Sequence, residues 1–486
     1  MMERRYTINP ITRLEGHGKI EIFLDEKGDV DMAFLQIPEL RGFEEFCKGR
    51  PAEELPRITP RICGVCPPAH HMASAKALDA AFNAEPTPLA KKLREILYSG
   101  YYIYDHTLHF YYLGGPDFVV GPKAPALERN ILGVIRKVGL DIGKEVIKHR
   151  AYGQRVIEIL GGKATHPVCG LPGGVSKGLS KEEQKEIEEM AKSCVEFGKF
   201  TLKLFDDIVL KNKEYVELIK SESYTLKTCY MGLVDDNNRV NFYDGKVRVV
   251  DVDGKEICKF EAKDYLNYVS EHVEEWTFAK FPYLKERGWK GFVDGNGTSL
   301  YRVGPLGRLN AADGMATPIA QEAYEKFYDT LGGKPVHSTL AYHWARIIEL
   351  MQACERLLEL IKDPEITGED IRNMPGEPGH GVGVIEAARG TLFHDYWLDK
   401  EGMIERVNLI VATVNNNASI NMSIKKAAQG LIKNFKVDEG ILNMVEMAFR
   451  AYDPCFACAT HAIGETPLII NIRSKDGELI KEIRRP

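Results

Sequence analysis

The sequence predicts an α+β fold that is mainly α: a long-helix bundle core, an N-terminal β-hairpin and a peripheral β-rich insert. Three observations carry that class. Apolar residues recur at three- and four-residue spacing over long stretches such as "LAKKLREILYSGYYIYDHTLHFYYLG" and "TLAYHWARIIELMQACERLLELIKD". Alternation of apolar and polar residues is confined to the start of the chain and to residues 221–310. No fixed-period repeat or low-complexity tract interrupts either texture.

From Tyr6 to about Gln36 the text "KIEIFLDEKGDVDMAFLQI" alternates around a turn at "DEKGD", the pattern of a hairpin. A short helix containing "GFEEFCKG" follows, then a Pro-rich turn, "PRITPRICGVCPPAH". The long helical text begins after Pro88, and "APALERNILGVIRKVGLDIGKEVIKHRAYGQRVIEILGG" adds helix with glycine stops. Ser180 and Glu183 form a capping-box signature ahead of a helix running to about Lys211. In residues 221–310, "DDNNRVNFYDGKVRVVDVDGKEICKF" sets two turn signals between short alternating runs, the basis for the insert. Helix resumes with "TPIAQEAYEKFYDTLG", and further helices over about 416–434 and 437–450 deliver the chain to Asp453. The whole, residues 1–486, reads as one domain.

At 44% hydrophobic and 28% charged, the 486 residues have the balance of an ordinary globular protein with a substantial core. A net charge of −6 with mixed signs excludes a nucleic-acid footprint and a polybasic membrane tether. No uncharged apolar run of roughly 18 residues predicts a membrane span. "MMERRYTINP" has basic residues but lacks the apolar stretch of a secretory signal, so no such signal is expected. Six of the ten cysteines, Cys47, Cys169, Cys194, Cys229, Cys258 and Cys354, lie singly and are expected as buried, reduced thiols.

The other four form two Cys-x-x-Cys pairs at opposite ends of the chain, Cys63 with Cys66 and Cys455 with Cys458. Each pair presents two sulfurs on one side of a turn, so a site joining them must be assembled by the whole fold. Four thiolates select zinc, iron or another late transition metal, and spacing alone favours structural zinc. The flanks point the other way: an Arg precedes the first pair, a His follows each, and Asp-Pro precedes the second.

"RICGVC" followed by "PPAH", with "DPCFACATH" near the C-terminus, resembles the two signature motifs of the large subunit of nickel–iron hydrogenases. The resemblance continues in the family's order through "NPITRLEGHGKI", "LRGFEEFCKGR", "DHTLHFYYLGGPDF", "GGKATHPVCGLPGGV", "GVIEAARGTLFHDY" and "VNLIVATVNNNAS". It implies reversible heterolysis of dihydrogen to protons and electrons at a Ni–Fe(CO)(CN)2 centre, whose CO and cyanide ligands maturation enzymes install. By this resemblance Cys63, Cys66, Cys455 and Cys458 bind nickel, with Cys66 and Cys458 also bridging to iron.

The same resemblance assigns further residues. Glu15 in "RLEGH" matches a proton-relay glutamate within reach of Cys458; taken alone it reads as a Glu on the rim of the first strand. Arg389 in "EAARG" matches an arginine held over the open coordination site; taken alone it would pair with Glu386. The family usually has Pro before this Arg, where this chain has Ala388. Asp117 in "GGPDF" and Asp453 match aspartates around that arginine, the alternative for Asp453 being an ordinary Asp-Pro turn. Ala412 and Thr413 match the pocket for the iron's diatomic ligands, against the rival reading of a strand-buried Thr. His70 resembles a histidine that hydrogen-bonds near a bridging sulfur, or else is a core histidine. A magnesium ion (iron in some members) is implied at Glu44, His461 and a backbone carbonyl near Val407, with Glu45 as the neighbouring alternative to Glu44.

In the family an endopeptidase cleaves after the last motif's His, which here would remove residues 462–486. Against that, "PLIINIRSKDGELIKEIRRP" alternates around a Lys-Asp-Gly turn and reads as a stable hairpin. No spare cysteine cluster remains for iron–sulfur centres, so electron-transfer partners are expected, first among them a separate iron–sulfur small subunit. A maturation chaperone is expected beside the endopeptidase. The texture resembles the cytoplasmic viologen-reducing, heterodisulfide-reductase-linked enzyme or the sulfhydrogenases. A deazaflavin-reducing enzyme, or a hydrogen sensor of low turnover, is the alternative. The related quinone-module subunit of respiratory complex I lacks these cysteines.

Overall fold

In the computed structural model, which describes residues 5–38, 42–459, 468–473 and 479–485, the N-terminal hairpin belongs to a three-stranded sheet. Strand β1 (Arg5–Ile8) pairs antiparallel with β2 (Lys19–Leu24), and β2 with β3 (Val30–Gln36). The expected turn closes β2 on β3, with Asp25 N–H donating to Asp29 O at 2.9 Å. The long connection from β1 to β2 carries Glu15. A short helix, α1 (Phe43–Cys47), forms where "GFEEFCKG" places it.

"PPAH" is not the end of a turn. Pro67 and Pro68 open α2 (Pro67–Ala81) at the positions where a missing N–H costs nothing. The long texts become α3 (Pro88–Leu108), α4 (Leu140–Gly161) and α5 (Lys181–Phe205), the last opened by the Ser180–Glu183 capping box. Both α3 and α5 continue into wider π turns, His109–Gly114 and Asp206–Leu210. Gly139 and Gly162, both at positive φ, bound α4. Helix α3 lies along α4 so closely that a Cβ added at Gly153 would sit 2.6 Å from Gly100 O.

Residues 221–310 hold strands β4 (Cys229–Val234), β5 (Lys246–Val250) and β6 (Glu256–Phe260), and then the chain enters α6 (Pro305–Ala311). After the helix Pro318–Leu331 comes α7 (Tyr342–Ile361), which packs on both α3 and α5. An antiparallel meander follows: β7 (His380–Ala387), β8 (Gly390–Leu398) and β9 (Ile404–Ile410). This sheet was not expected. Along β7 and β8 nearly every residue is buried, so the alternation that marks a half-exposed strand is absent.

The insert is not peripheral. Strand β4 is buried along its length, and Met231, Leu233, Val247 and Val249 share one core with Val382, Val384, Phe393 and Ile410 of the meander. The chain ends through α8 (Asn417–Leu431), α9 (Glu439–Arg450), the one-turn α10 (Phe456–Ala459), and an antiparallel pair, β10 (Leu468–Arg473) with β11 (Leu479–Arg485). The Lys-Asp-Gly turn expected between those strands lies outside the described residues. Among the described residues no helix is long and apolar enough to cross a membrane.

Helix α2 lies on β7, and two glycines permit the approach. A Cβ at Gly383 would meet Ala73 O at 2.3 Å and Ala77 N at 2.4 Å; one at Gly381 would meet Ala81 N at 2.2 Å. This contact fixes Cys66, which caps the start of α2, against Arg389, which follows the end of β7. Gly383→Val should therefore lower the thermal midpoint by the equivalent of about 2–3 kcal/mol of overpacking. Gly297→Ala, at a position with open space around it, should stay within about 0.5 kcal/mol of the parent. A Gly383→Val protein melting with the parent would contradict the close contact.

Candidate metal centre

The two cysteine pairs meet. Their four sulfurs lie within 4.8 Å of one another, all buried: Cys455 to Cys458 at 2.9 Å, Cys455 to Cys63 at 3.1 Å, Cys66 to Cys458 at 3.6 Å. Each pair is shaped by its turn. Backbone N–H groups of Val65 and Cys66 point at Cys63 Sγ, at 3.2 and 3.4 Å, before α2 begins. Cys455 precedes α10 and Cys458 lies within it, tied by Cys458 N–H to Cys455 O at 3.2 Å. Thr413, just beyond β9 rather than within a strand, accepts the Cys455 N–H at 3.1 Å. Ala412 beside it is buried. As thiols the four do not behave alike. Burial would raise Cys63, but S–H bonds from Cys455, Cys458 and Cys66 more than offset it and hold it well below its ordinary value. Burial pushes Cys455 and Cys458 well above theirs. Four convergent, inward-facing sulfurs are the donor set of a soft transition metal.

Glu15 reaches this cluster at Cys455, where the expectation named Cys458. Its Oε2 lies 2.9 Å from Cys455 Sγ and accepts the Ala457 N–H at 3.1 Å, while its carbonyl accepts the Phe456 N–H at 3.1 Å. The reason is a short parallel bridge between Glu15 and Cys455, which lays the loop carrying Glu15 alongside the second cysteine pair. Burial, with the neighbouring Cys63 adding to it, raises the Glu15 carboxyl above its usual range. On the other side His70 Nε2 lies 3.5 Å from Cys458 Sγ, and its Nδ1 faces His394 Nε2 at 3.1 Å. His394 in turn meets the Tyr396 hydroxyl at 2.6 Å.

Arg389 occupies the tight turn between β7 and β8. It does not pair with Glu386. Its guanidinium lies between Asp105, at 3.1 Å, and Asp453, at 2.9 Å, all three buried. Burial, reinforced by Asp105 and opposed by Arg389, pushes Asp453 up to about 7. Asp453 itself takes a left-handed backbone, φ 55°, a conformation Asp tolerates better than most residues. Glu386 belongs instead to Arg308, at 2.6 Å, whose second partner is Glu349 at 2.7 Å. Arg308 also donates to the carbonyls of Ala387 and Ala388, at 2.8 and 3.1 Å, and Ala388 N–H donates to the Tyr101 hydroxyl at 3.1 Å.

Asp117 does not stand beside Arg389. Its carboxylate is taken up by Arg13 (2.5 Å), Arg450 (2.7 Å) and Asn443 (3.1 Å), because the π turn after α3 carries "GGPDF" past the site. The aspartate that meets Arg389 beside Asp453 is Asp105, in the same "DHTLHFYYLGGPDF" block and missed. Its signal was a carboxylate inside the Tyr-rich, otherwise apolar text of α3, where burial demands a partner. Arg308 was missed as well, since it lies at the far end of the segment taken as an insert. Glu44 on α1 accepts the Leu409 N–H of β9 at 2.8 Å, with Val407 buried in the same strand. His461 lies outside the described residues.

Comparison with known proteins agrees with this geometry. The family described as nickel-dependent hydrogenase matches residues 41–128 and 145–461, and a HoxL-like pattern matches residues 5–40. Over 484 residues, 99% of each chain, the protein is 53% identical to a protein of Archaeoglobus profundus named as an iron-sulfur subunit of an F420-non-reducing hydrogenase. It is 38% identical over the full length of both chains to the NAD-reducing hydrogenase HoxS subunit beta of Cupriavidus necator. A crystal structure of an NAD+-reducing NiFe hydrogenase in its dihydrogen-reduced state superimposes with a TM-score of 0.89 at 36% identity, covering 95% of this chain and 100% of that one. With the four-cysteine centre, these matches place the chain in the nickel-dependent hydrogenase large-subunit family.

Proposed function

We propose that this chain is the catalytic subunit of a nickel–iron hydrogenase that cleaves and forms dihydrogen reversibly and exchanges electrons with an iron–sulfur small subunit. One observation carries the reading: four buried sulfurs from both ends of the chain converge, with the Glu15 carboxylate against one of them and the Arg389 guanidinium pinned nearby between two aspartates. The donor set fits the group. Cys63, Cys66, Cys455 and Cys458 would hold nickel, Cys66 and Cys458 also iron, and the bound centre with its CO and cyanide ligands supplies the heterolysis of dihydrogen. The side chains do the rest. Glu15, its carboxyl raised by burial, stands at hydrogen-bond distance from Cys455 Sγ, where it would take a proton and pass it on. Arg389, charged at any working pH and fixed by Asp105 and Asp453, is a stationary cation and not a base. Thr413 holds the Cys455 backbone, and its hydroxyl would be the donor to a cyanide ligand of the iron, with Ala412 lining the same pocket. His70 steadies the Cys458 sulfur.

The relatives' names support the partners. They are subunits of larger enzymes, and those named F420-non-reducing do not favour the deazaflavin-reducing alternative. We assign electron transfer to partner subunits, a heterodisulfide reductase among them, in the cytoplasm. Magnesium would be held by Glu44, a carbonyl near Val407 and His461. Residues 462–486 would be removed by an endopeptidase once a maturation chaperone has delivered the metals; the nickel-dependent hydrogenase match stops at residue 461.

Purified enzyme should contain nickel and iron rather than zinc, and infrared bands of CO and cyanide; metal-replete protein without those bands would refute the assignment. Glu15→Gln should keep its nickel and lose exchange between D2 and water by a factor of about 10²–10⁴, whereas undiminished exchange would remove Glu15 from the reaction. Intact mass spectrometry of active enzyme should find residues 462–486 gone, and a retained tail would reverse the processing claim.

A further inference from the structure

The loop that carries Glu15 is tied at one end by a buried cluster of charges that the reaction itself does not use. Arg13 lies two residues before Glu15 with a left-handed backbone, φ 58°, unusual for an arginine. Its guanidinium donates to Asp117 Oδ1 at 2.5 Å, to Leu113 O at 2.7 Å and to Asn443 Oδ1 at 3.2 Å. Beside it, Thr12 donates through its hydroxyl to Glu446 Oε2 at 2.9 Å and through its backbone N–H at 3.4 Å. Arg450 closes the cluster, bonding Asp117 Oδ2 at 2.7 Å and Glu446 Oε2 at 2.5 Å. Asn443, Glu446 and Arg450 all lie on α9. The end of that helix leads to Asp453 and Cys455, with Asp453 N–H bonded to Arg450 O at 3.0 Å.

The relay loop and the second cysteine pair are thus referenced to one set of charges. A two-residue arm spans at most about 7 Å, so a shift of the Arg13 anchor passes directly to Glu15. Proton transfer at Cys455 tolerates little shift, because the carboxylate must stay within hydrogen-bond reach. We propose that Arg13, clamped by Asp117 and Asn443, is a positioning residue that holds the Glu15 carboxylate against Cys455. The proposal rests on the reading of Glu15 as the proton relay. Asp117, placed by sequence beside Arg389, acquires in this way a different role: it locks the loop to α9. Without Arg13, Asp117 still has Arg450 and Asn443, so removing the guanidinium frees the loop and leaves the fold its other ties.

The test compares Arg13→Gln, Arg13→Lys, Glu15→Gln and the double variant Arg13→Gln/Glu15→Gln in the assembled enzyme. Nickel content, the CO and cyanide infrared bands, D2–water exchange and amide hydrogen exchange over residues 9–18 are measured for each. Positioning predicts that Arg13→Gln keeps its nickel and its infrared bands. It predicts D2–water exchange slowed about 10- to 100-fold, loop amides exchanging at least about 10-fold faster, and Arg13→Lys in between. The double variant should be no slower than Glu15→Gln alone, the non-additivity of one residue acting through another. Parental D2–water exchange in Arg13→Gln, with Glu15→Gln slow, overturns the positioning role and leaves the relay standing. A double variant slower by the product of the two single effects overturns it too. Full exchange in Glu15→Gln overturns the relay and the inference together. Nickel lost from both Arg13→Gln and Arg13→Lys would assign the cluster to assembly and overturn positioning.

Discussion

Four sulfurs supplied by the two ends of the chain must share one buried point, and most of the fold answers to that demand. Neither pair has a local scaffold that could hold an ion alone. Cys66 is fixed because α2 lies against β7 without intervening side chains, a contact that Gly381 and Gly383 permit. Cys455 is fixed because Thr413, at the end of the same meander, takes its N–H, and because Glu15 runs beside it. The three-strand meander is therefore the frame on which both pairs are registered.

Three buried charges around this frame are each shared by two partners. Arg308 is shared by Glu349 and Glu386, Arg389 by Asp105 and Asp453, and Asp117 by Arg13 and Arg450. Removing the shared member of such a group, such as Arg308, typically costs about 3–5 kcal/mol, because its buried partners are left without it. Well-packed apolar residues would give comparable stability at these positions. What the charged groups add is geometry. A guanidinium gripped through two N–H groups, as Arg308 is by Glu349, or held between two carboxylates, as Arg389 is, has its direction fixed as well as its distance.

Much of the site was legible in the sequence, and the misses have physical causes. The cysteine pairs, Glu15, Arg389 and Asp453 sit in short motifs that the resemblance carries residue by residue, and the fold brings their side chains together. The long helices showed their period, and Ser180 with Glu183 announced the start of α5. Strands β7 and β8 were invisible because both faces are covered, which erases alternation. Asp117 and Asp105 were exchanged because one helical block contains both, and only the π turn at His109–Gly114 decides which carboxylate faces Arg389. That Glu15 contacts Cys455, where Cys458 was expected, has a similar cause. The choice between two sulfurs three residues apart depends on a backbone bridge formed by residues at opposite ends of the chain.

Ala388 shows how the segment taken as an insert enters the site. A proline before Arg389 would stiffen the turn through its own ring, with φ fixed and no N–H to place. Alanine leaves φ free and adds a donor in a buried position, which must find an acceptor. The Tyr101 hydroxyl on α3 accepts it, and Arg308 binds the carbonyls of Ala387 and Ala388. Restraint that a ring would supply covalently is supplied here by two other parts of the chain. Arg308 belongs to α6, at the end of residues 221–310, so that segment helps to set the direction of Arg389. Its burial against the meander follows from that dependence: an arginine that must hold a turn beside the sulfurs cannot be delivered by a lobe that moves on its own.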